Sequence, residues 1–290
     1  MLASGVARDA LACSQCMCGT PFPADALGGV VPMQLRYGVE DRYLSKSTGL
    51  DEGPGEERER EHRLSAFAAW RPHDRLALLG RLPYNFKELE QEPLGQPIET
   101  GTAQGLGDAE LLALIGVARA TGAHSATLGL VLGVAAPTGS NNLRDENGER
   151  LDEHLQTGSG AWSFTTGLNL GASLGGSIFE TGVLARANGQ GPHYRYGNAV
   201  LFNAGLTGPS WRGWRGIAQL NGRTAAHDLE EAGDPAPNTG GTVLYATPGL
   251  RWQTALGIGV EALVQIPVFQ SLQGVQHENT TARLGLSLDR

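Results

Sequence analysis

The amino-acid sequence predicts an all-β fold, a transmembrane antiparallel up-and-down β-barrel of about 12 strands. Two patterns indicate this fold. Apolar and polar side chains alternate in segments of about ten residues, and the connections between these segments alternate between short turns and long polar loops. Alternation with a period of two is typical of a strand with one apolar face. A tilted strand also needs only about ten residues to cross a bilayer.

Composition and charge exclude two other classes of protein. The 290 residues include 42 glycines, and the mean hydropathy is −0.20. No stretch reaches the roughly 18 consecutive apolar residues of a membrane-spanning helix, which excludes a helical membrane protein. The net charge of −8 and the pI near 5.4 argue against nucleic acid as a partner, because phosphate binding requires a basic surface.

The strands follow one another from residue 33 to the end of the chain. In 127–136, Leu128, Leu130 and Leu132 fall on one face, and small or polar residues fall mainly on the other. Segment 256–268 repeats the pattern, with apolar residues at every even-numbered position from 256 to 268. Counting such segments predicts twelve strands, at 33–43, 62–72, 75–87, 106–119, 124–137, 160–172, 176–188, 195–206, 213–224, 241–252, 255–268 and 279–289.

The connections sort into two classes. Those after even-numbered strands are short, whereas most of those after odd-numbered strands are long and polar, at 44–61, 88–105, 138–159, 225–240 and 269–278. This alternation is typical of an outer-membrane barrel, in which the short turns lie on the periplasmic side with both termini and the long loops lie on the other side. It predicts a location in the bacterial outer membrane of a Gram-negative cell. A soluble β-sandwich is the alternative, although a sandwich does not require an even strand count or long loops on one side only.

The faces opposite the apolar ones carry charged residues. Each would cost about 2–4 kcal/mol near the membrane midplane, so they are expected to line a lumen, where opposite charges pair across strands. The predicted pore-lining residues are Arg36, Glu40, Arg42, Arg63, Arg81, Asp108, Glu110, Glu180, Arg186, Arg215, Arg223, Arg251, Glu261 and Arg283.

The residues before the barrel divide into two segments. Ala10-Leu11-Ala12 has the small-x-small form of a signal-peptidase site, so residues 1–12 are interpreted as the remnant of a signal peptide. An ordinary flexible N-terminus is the alternative. Residues 13–32 are then a cysteine-containing periplasmic segment, and residues 33–290 form the barrel.

The only cysteines of the chain are Cys13, Cys16 and Cys18. Three thiolates at this spacing could bind a soft metal such as Cu(I) or Zn(II), and the barrel itself is expected to need no cofactor. Three alternatives remain: a disulfide formed in the periplasm, lipidation of Cys13, or a disordered tail.

Three glycine-containing motifs resemble a known family. They are Gly105-Leu106-Gly107-Asp108, the strand 130–137 that ends in Pro137-Thr138-Gly139, and Gly158-Ser159-Gly160-Ala161-Trp162. Their order and spacing resemble those of the outer-membrane transporters of the MetA-pathway-of-phenol-degradation family, over about residues 30–290. The resemblance implies a porin-like barrel that moves small, often hydrophobic, compounds. Many outer-membrane barrels end on an aromatic residue, and this chain ends on Leu288-Asp289-Arg290.

Three of the predicted loops are acidic: 51–61, 145–153 and 228–234. A ring of carboxylates at a pore mouth would attract cations and repel anions. Alternatively, the carboxylates keep solvated loops soluble, with or without bridging Ca²⁺.

The sequence predicts a channel or transporter and not an enzyme. A barrel enzyme needs a nucleophile beside a base in its wall, and the seven histidines fall in predicted turns, loops or strand ends. The expected partners are outer-membrane lipids, a small-molecule solute, which could be hydrophobic or aromatic, and the barrel assembly machinery. The alternative function is a plugged structural or docking barrel whose cysteine tail binds a soft metal or a periplasmic partner.

Overall fold

The chain folds into a closed antiparallel barrel, seen in a computed structural model that describes residues 35–49, 55–95, 97–120 and 125–290. Its main sheet contains fourteen strand segments. Segments β4 and β5 pair with the same neighbour, β3, and β15 and β16 pair with the same neighbour, β1. Each of these two pairs therefore continues one interrupted strand, which reduces fourteen segments to the twelve strands of the predicted barrel.

The segments of the barrel are β1 (Leu35–Gly49), β2 (Gly55–His73), β3 (Leu76–Pro93), β4 (Glu99–Leu106), β5 (Ala109–Ala120), β6 (Ser125–Ala136), β7 (Ser163–Leu174), β8 (Ser177–Asn188), β10 (Ala199–Thr207), β11 (Trp214–Ala225), β13 (Gly241–Gln253), β14 (Ile258–Leu272), β15 (Gln276–Glu278) and β16 (Thr281–Asp289). Two short strands, β9 (Tyr194–Arg195) and β12 (Leu229–Glu230), pair with each other outside this sheet, and a 3-10 helix covers Glu153–Leu155. No helix in these described parts of the chain has the length and hydropathy required to cross a membrane.

The sheet closes between its first and last strands. Strand β1 pairs with β2 along one edge and with β16 along the other. At the end of this seam, Leu35 and Arg290 donate a backbone hydrogen bond to each other, at 2.9 and 2.8 Å. A β-sandwich has open edges, so closure removes that alternative.

The exterior of the barrel is apolar in the middle and aromatic at its limits. Val39, Leu132 and Val264 are 44, 43 and 41% exposed, which is tolerated where the solvent is lipid. Toward the long loops, the rings of Tyr84 and Phe86 lie 5.0 Å apart. Toward the short turns, the indoles of Trp214 and Trp252 lie 6.0 Å apart. Aromatic residues at two levels are the girdles that flank the apolar band of outer-membrane barrels.

The predicted bounds of two loops are wrong. Segments 44–61 and 88–105 are largely strand, because β1–β4 continue beyond the aromatic level as a wall extension. On its outer surface Arg60 binds Glu88 and Glu90 of the next strand, at 2.6 and 3.0 Å. Cross-strand ion pairs of this kind favour an extended, solvated sheet. The alternation of acidic and basic residues in 57–61 is therefore a strand pattern.

The predicted strand 106–119 is interrupted, and this interruption positions the site described below. The break falls at Gly107 and Asp108, between β4 and β5. Gly107 donates its N–H to the carbonyl of Pro83 on β3, at 2.9 Å. Among the described strands, β4 pairs with β3 alone, since β6 ends at Ala136 and the chain then turns into the barrel.

Candidate functional site: the lumen and its inserted loop

The structure brings the predicted charged residues together on the inner face of the barrel. Thirteen of the fourteen lie at inward strand positions, and Asp108 lies at the break between β4 and β5. Arg36, Arg42, Glu180 and Arg223 are only 3, 6, 5 and 5% exposed. Burial at alternate positions of a closed sheet places these side chains in the lumen, away from lipid.

Ion pairs connect these charges around the middle of the lumen. The carboxylate of Glu110 lies 3.8 Å from Arg81 and 3.6 Å from Arg186. Glu40 lies 3.6 Å from Arg42 and 3.8 Å from Arg283, and Arg283 also binds Glu261. Positive and negative groups thus alternate, and we refer to Glu40, Arg42, Arg81, Glu110, Arg186, Glu261 and Arg283 as the charge ladder.

Other predicted lumen residues form hydrogen bonds at the two ends of the barrel. Arg36 binds Asp289 through two hydrogen bonds of 2.5 and 2.8 Å across the closing seam. Arg223 binds Glu278, which also accepts a 3.0 Å hydrogen bond from Tyr245. Arg215 donates to the carbonyls of Gly176 and Gly208, at 3.2 and 3.1 Å, so it braces the short-turn end of the barrel.

Part of the inner face is apolar, which the sequence analysis missed. Leu79, Leu112, Leu114 and Val131 are at most 1% exposed, and they belong to one cluster of buried apolar residues on inward positions of neighbouring strands. A periodic pattern does not distinguish a leucine that faces lipid from one that faces the lumen when small or apolar residues occupy both faces. Packed apolar side chains therefore fill part of the lumen beside the charge ladder.

The predicted extracellular loop 138–159 does not lie outside the barrel. Residues 137–162, which we call the inserted loop, enter the lumen and pack against β2, β3 and β4. His154, Gln156 and Thr157 of this loop are 2, 0 and 1% exposed. The side chain of Asn85 donates to the carbonyl of Thr157 at 3.0 Å. The loop thus narrows the passage from inside.

Charged groups hold the middle of the inserted loop. The Nδ1 atom of His154 lies 2.9 Å from an oxygen of Glu59 on β2, and Lys87 on β3 donates to the His154 carbonyl at 2.7 Å. Burial opposes protonation of His154, but the carboxylate of Glu59, with smaller contributions from Asp152 and Glu57, outweighs it and raises the pKa of the imidazole. When the ring is protonated, it forms with Glu59 an ion pair that docks the loop.

The ends of the inserted loop meet at the break between β4 and β5. One oxygen of Asp108 accepts the N–H of Gly139 at 3.1 Å, and the other accepts the N–H and hydroxyl of Ser159 at 2.9 and 2.5 Å. A Cβ atom on Gly139 would lie 2.6 Å from the Cα of Gly158, so the two backbones touch. The three motifs on which the family resemblance depends therefore converge in space, and we call this contact the loop clasp.

A small cavity lies between the loop clasp and the charge ladder. It is lined by Asn85, Asp108 and Thr157 on one side and by residues that include Arg81, Glu110 and Arg186 on the other. Its volume of about 60 Å³ accommodates a few water molecules.

Several carboxylates of the predicted ring at the mouth are buried rather than exposed. Asp228 is fully buried and accepts hydrogen bonds from the hydroxyl of Tyr194 at 2.8 Å and the N–H of Gly197 at 2.6 Å. Burial raises the pKa of Asp228 against these hydrogen bonds. Glu57, Glu59 and Glu61, predicted to be loop residues, are buried on β2.

Two further predictions concern histidine and cysteine. The expectation that every histidine lies in a turn, loop or strand end is wrong for His62, which lies inside β2 and contacts Asp41 at 3.0 Å on the barrel exterior. Cys13, Cys16 and Cys18 lie outside the residues that the structure describes.

Comparison with known proteins supports the fold. The chain is similar to an outer membrane channel from Pseudomonas putida F1, with a TM-score of 0.68, 13% identity, and coverage of 93% of this chain and 100% of that one. It is less similar to the translocator domain of autotransporter NalP from Neisseria meningitidis (TM-score 0.48, 13% identity, 91% of each chain). The toluene transporter TbuX of Ralstonia pickettii matches at a TM-score of 0.44 and 10% identity, over 92% of this chain and 94% of that one.

No protein-family model and no curated protein matches the chain. The general prediction, an outer-membrane β-barrel of about 12 strands, is confirmed by the closed sheet, its apolar exterior and the first of these matches. Membership of the MetA-pathway-of-phenol-degradation family stays a resemblance.

Proposed function

We propose that the chain is an outer-membrane channel or transporter for small solutes, including hydrophobic or aromatic ones. The observation that supports this proposal is a lumen in which buried leucines, such as Leu79 and Leu112, share the inner surface of the barrel with a ladder of arginine and glutamate pairs. Once the packed leucines separate, a solute with one apolar and one polar part would contact side chains of its own kind on both parts.

The inserted loop sets the width of the passage in this proposal. His154 and Thr157 fill space that a barrel without an inward loop would leave to water. A channel narrowed in this way passes small molecules at a low rate and excludes large ones.

A channel is preferred to an enzyme in this proposal. His62 and His154 each bind a carboxylate through Nδ1, Asp41 and Glu59 respectively. Among the described residues, no serine hydroxyl is hydrogen-bonded to the Nε2 of the buried His154, so this pair lacks the nucleophile of a triad. The similarity to the channel of Pseudomonas putida F1 lends support through the fold alone.

The experiment is recording of single-channel currents in planar bilayers with the purified full-length chain. Small, reproducible conductance steps that fall when an aromatic carboxylate or alcohol is added support the proposal. Silence under all conditions contradicts it and favours a closed docking barrel, for which capture of a periplasmic partner by residues 13–32 is the matching test.

A further inference from the structure

We infer that Asp108 is a positioning residue for the inserted loop rather than a residue that contacts the solute. Its carboxylate fixes both ends of the loop, and it thereby fixes how far the loop reaches into the lumen. The effect on conduction depends on the proposed function, whereas the docking of the loop can be measured without it.

The first support is the geometry of the carboxylate. Three donors converge on its two oxygens: the N–H of Gly139 at 3.1 Å, and the N–H and hydroxyl of Ser159 at 2.9 and 2.5 Å. Gly139 precedes the lumen segment of the loop and Ser159 follows it, so one side chain closes the loop into a ring. Hydrogen bonds to an ionised acceptor are stronger than those between neutral groups.

The second support is the contact between the loop clasp and the barrel wall at the break between β4 and β5. The hydroxyl of Thr138 donates to the carbonyl of Gly107 and accepts the N–H of Ala109, both at 2.8 Å. It therefore satisfies backbone groups on either side of the break in the strand. The break places Asp108 where its side chain can reach both loop ends, which a regular strand position would not allow.

The third support is the chemistry that the position requires. Every group that meets the carboxylate is a donor, so the side chain must supply acceptors on both branches. Asparagine has nearly the same shape but carries an NH₂ group on one branch, which would face a donor. Asp108→Asn therefore removes the charge and at least one of the three hydrogen bonds, which weakens the clasp without a large change in volume.

Release of the clasp is expected to widen the passage. Thr157, which lines the 60 Å³ cavity beside the charge ladder, lies two residues before Ser159. When the loop ends separate, Thr157 can withdraw from Asn85, and the cavity enlarges.

The experiment compares three full-length variants, Asp108→Asn, Ser159→Ala and Asp74→Asn, by hydrogen–deuterium exchange of residues 140–158 and by single-channel conductance. Asp74 is the matched control because it is an exposed carboxylate in the short turn after β2. We expect exchange in the loop to accelerate about ten-fold or more in Asp108→Asn, as the loss of hydrogen bonds to a charged group implies. Conductance should rise in the same variant.

Ser159→Ala removes one of the three hydrogen bonds to Asp108 and the contacts of the same hydroxyl with Ala161, but no charge. A smaller change in the same direction is therefore expected. Because the charge of Asp108 is kept in this variant, a change in exchange or conductance would result from the weakened clasp and not from the loss of a negative charge in the lumen. Asp74→Asn should behave like the parent chain in both measurements.

The outcomes distinguish the inference from the proposed function. Conduction by the parent with unchanged exchange and conductance in Asp108→Asn would overturn the positioning role and leave the channel intact. Faster exchange in barrels that never conduct would support the positioning role and contradict the channel. If Asp108→Asn does not fold, Ser159→Ala decides, and unchanged exchange in that variant overturns the inference.

Discussion

At the scale of single residues, His154 couples the inserted loop to pH. Its pKa lies above that of a free imidazole because Glu59 outweighs the effect of burial. Asp152 and Glu57 act in the same direction, and Asp228 and Lys87 also lie close to the ring or its backbone. A raised histidine pKa contributes docking energy that is fully present below about pH 6.5 and is lost as the pH rises through the raised value.

The first prediction is that the proposed channel opens in alkaline solution. Single-channel conductance and exchange of the loop amides should both increase as the pH rises above about 6.5. His154→Gln should abolish this dependence, because glutamine keeps a hydrogen bond to Glu59 and does not titrate. A parent chain whose loop exchange, corrected for intrinsic rates, is independent of pH would disprove the coupling.

The second prediction concerns the charge ladder. Replacement of Arg81 and Arg186 together by alanine leaves Glu110 without the two guanidinium groups that lie within 4 Å of it. The selectivity for K⁺ over Cl⁻, measured as a reversal potential in a salt gradient, should rise several-fold. Arg212→Ala, in the exposed turn before β11, is the control. An unchanged reversal potential in the double variant would show that these arginines do not face the passage.

At the scale of strands and loops, the sequence was sufficient where one face of a strand is apolar throughout. Strands β7 and β14 occupy almost the predicted positions, because large apolar residues at every second position face lipid. Strand ends were harder to predict. The charged segment 56–61 suggested a loop, yet its alternate residues pair with neighbours across the sheet, and such pairing is invisible in one strand read alone.

The inserted loop could not be predicted because its contacts join residues far apart in the sequence. His154 binds Glu59 across 95 positions, and Asp108 binds Ser159 across 51. The three glycine motifs predicted a resemblance, but composition does not reveal that they touch. A polar segment after a strand is typical of an outer loop, so only the closed barrel shows that this one turns inward.

The third prediction uses the exterior of two strands. Val39 lies midway along the apolar part of β1, so Val39→Arg should lower the free energy of unfolding from lipid bilayers by about 2–4 kcal/mol. Thr102 faces outward on the wall extension, and Thr102→Arg should cost no more than about 1 kcal/mol. Equal costs in urea titrations would contradict the assignment of the membrane boundary between them.

At the scale of the whole molecule, one carboxylate adds side-chain contacts to the backbone pairing that closes the barrel. Asp289 binds Arg36 across the seam, accepts a 2.5 Å hydrogen bond from Gln253 and lies 3.6 Å from Arg251. Three strands therefore meet at this side chain. The periodic pattern predicted that these residues face inward, but not that they converge.

The fourth prediction is that Asp289→Asn weakens closure. Loss of a carboxylate from a buried ion pair costs on the order of 3 kcal/mol. The compact form seen on unheated denaturing gels should then convert to the slower form at a lower temperature than in the parent chain. Asp74→Asn provides the control. An unaltered conversion temperature in Asp289→Asn would show that the contacts of Asp289 do not stabilise the closed barrel.

Among the described strands β4 pairs on one side only, and this also limits how deep the protein can sit in its membrane. An unpaired row of peptide N–H and C=O groups cannot enter hydrocarbon, since nothing there replaces the missing hydrogen bonds. The free edge of β4 begins beside Leu106, which pairs with Tyr84 of the upper aromatic level. Immersion beyond that level would therefore remove water from unpaired backbone groups of β4. A bilayer thicker than this level is expected to become thinner next to strands β1–β4.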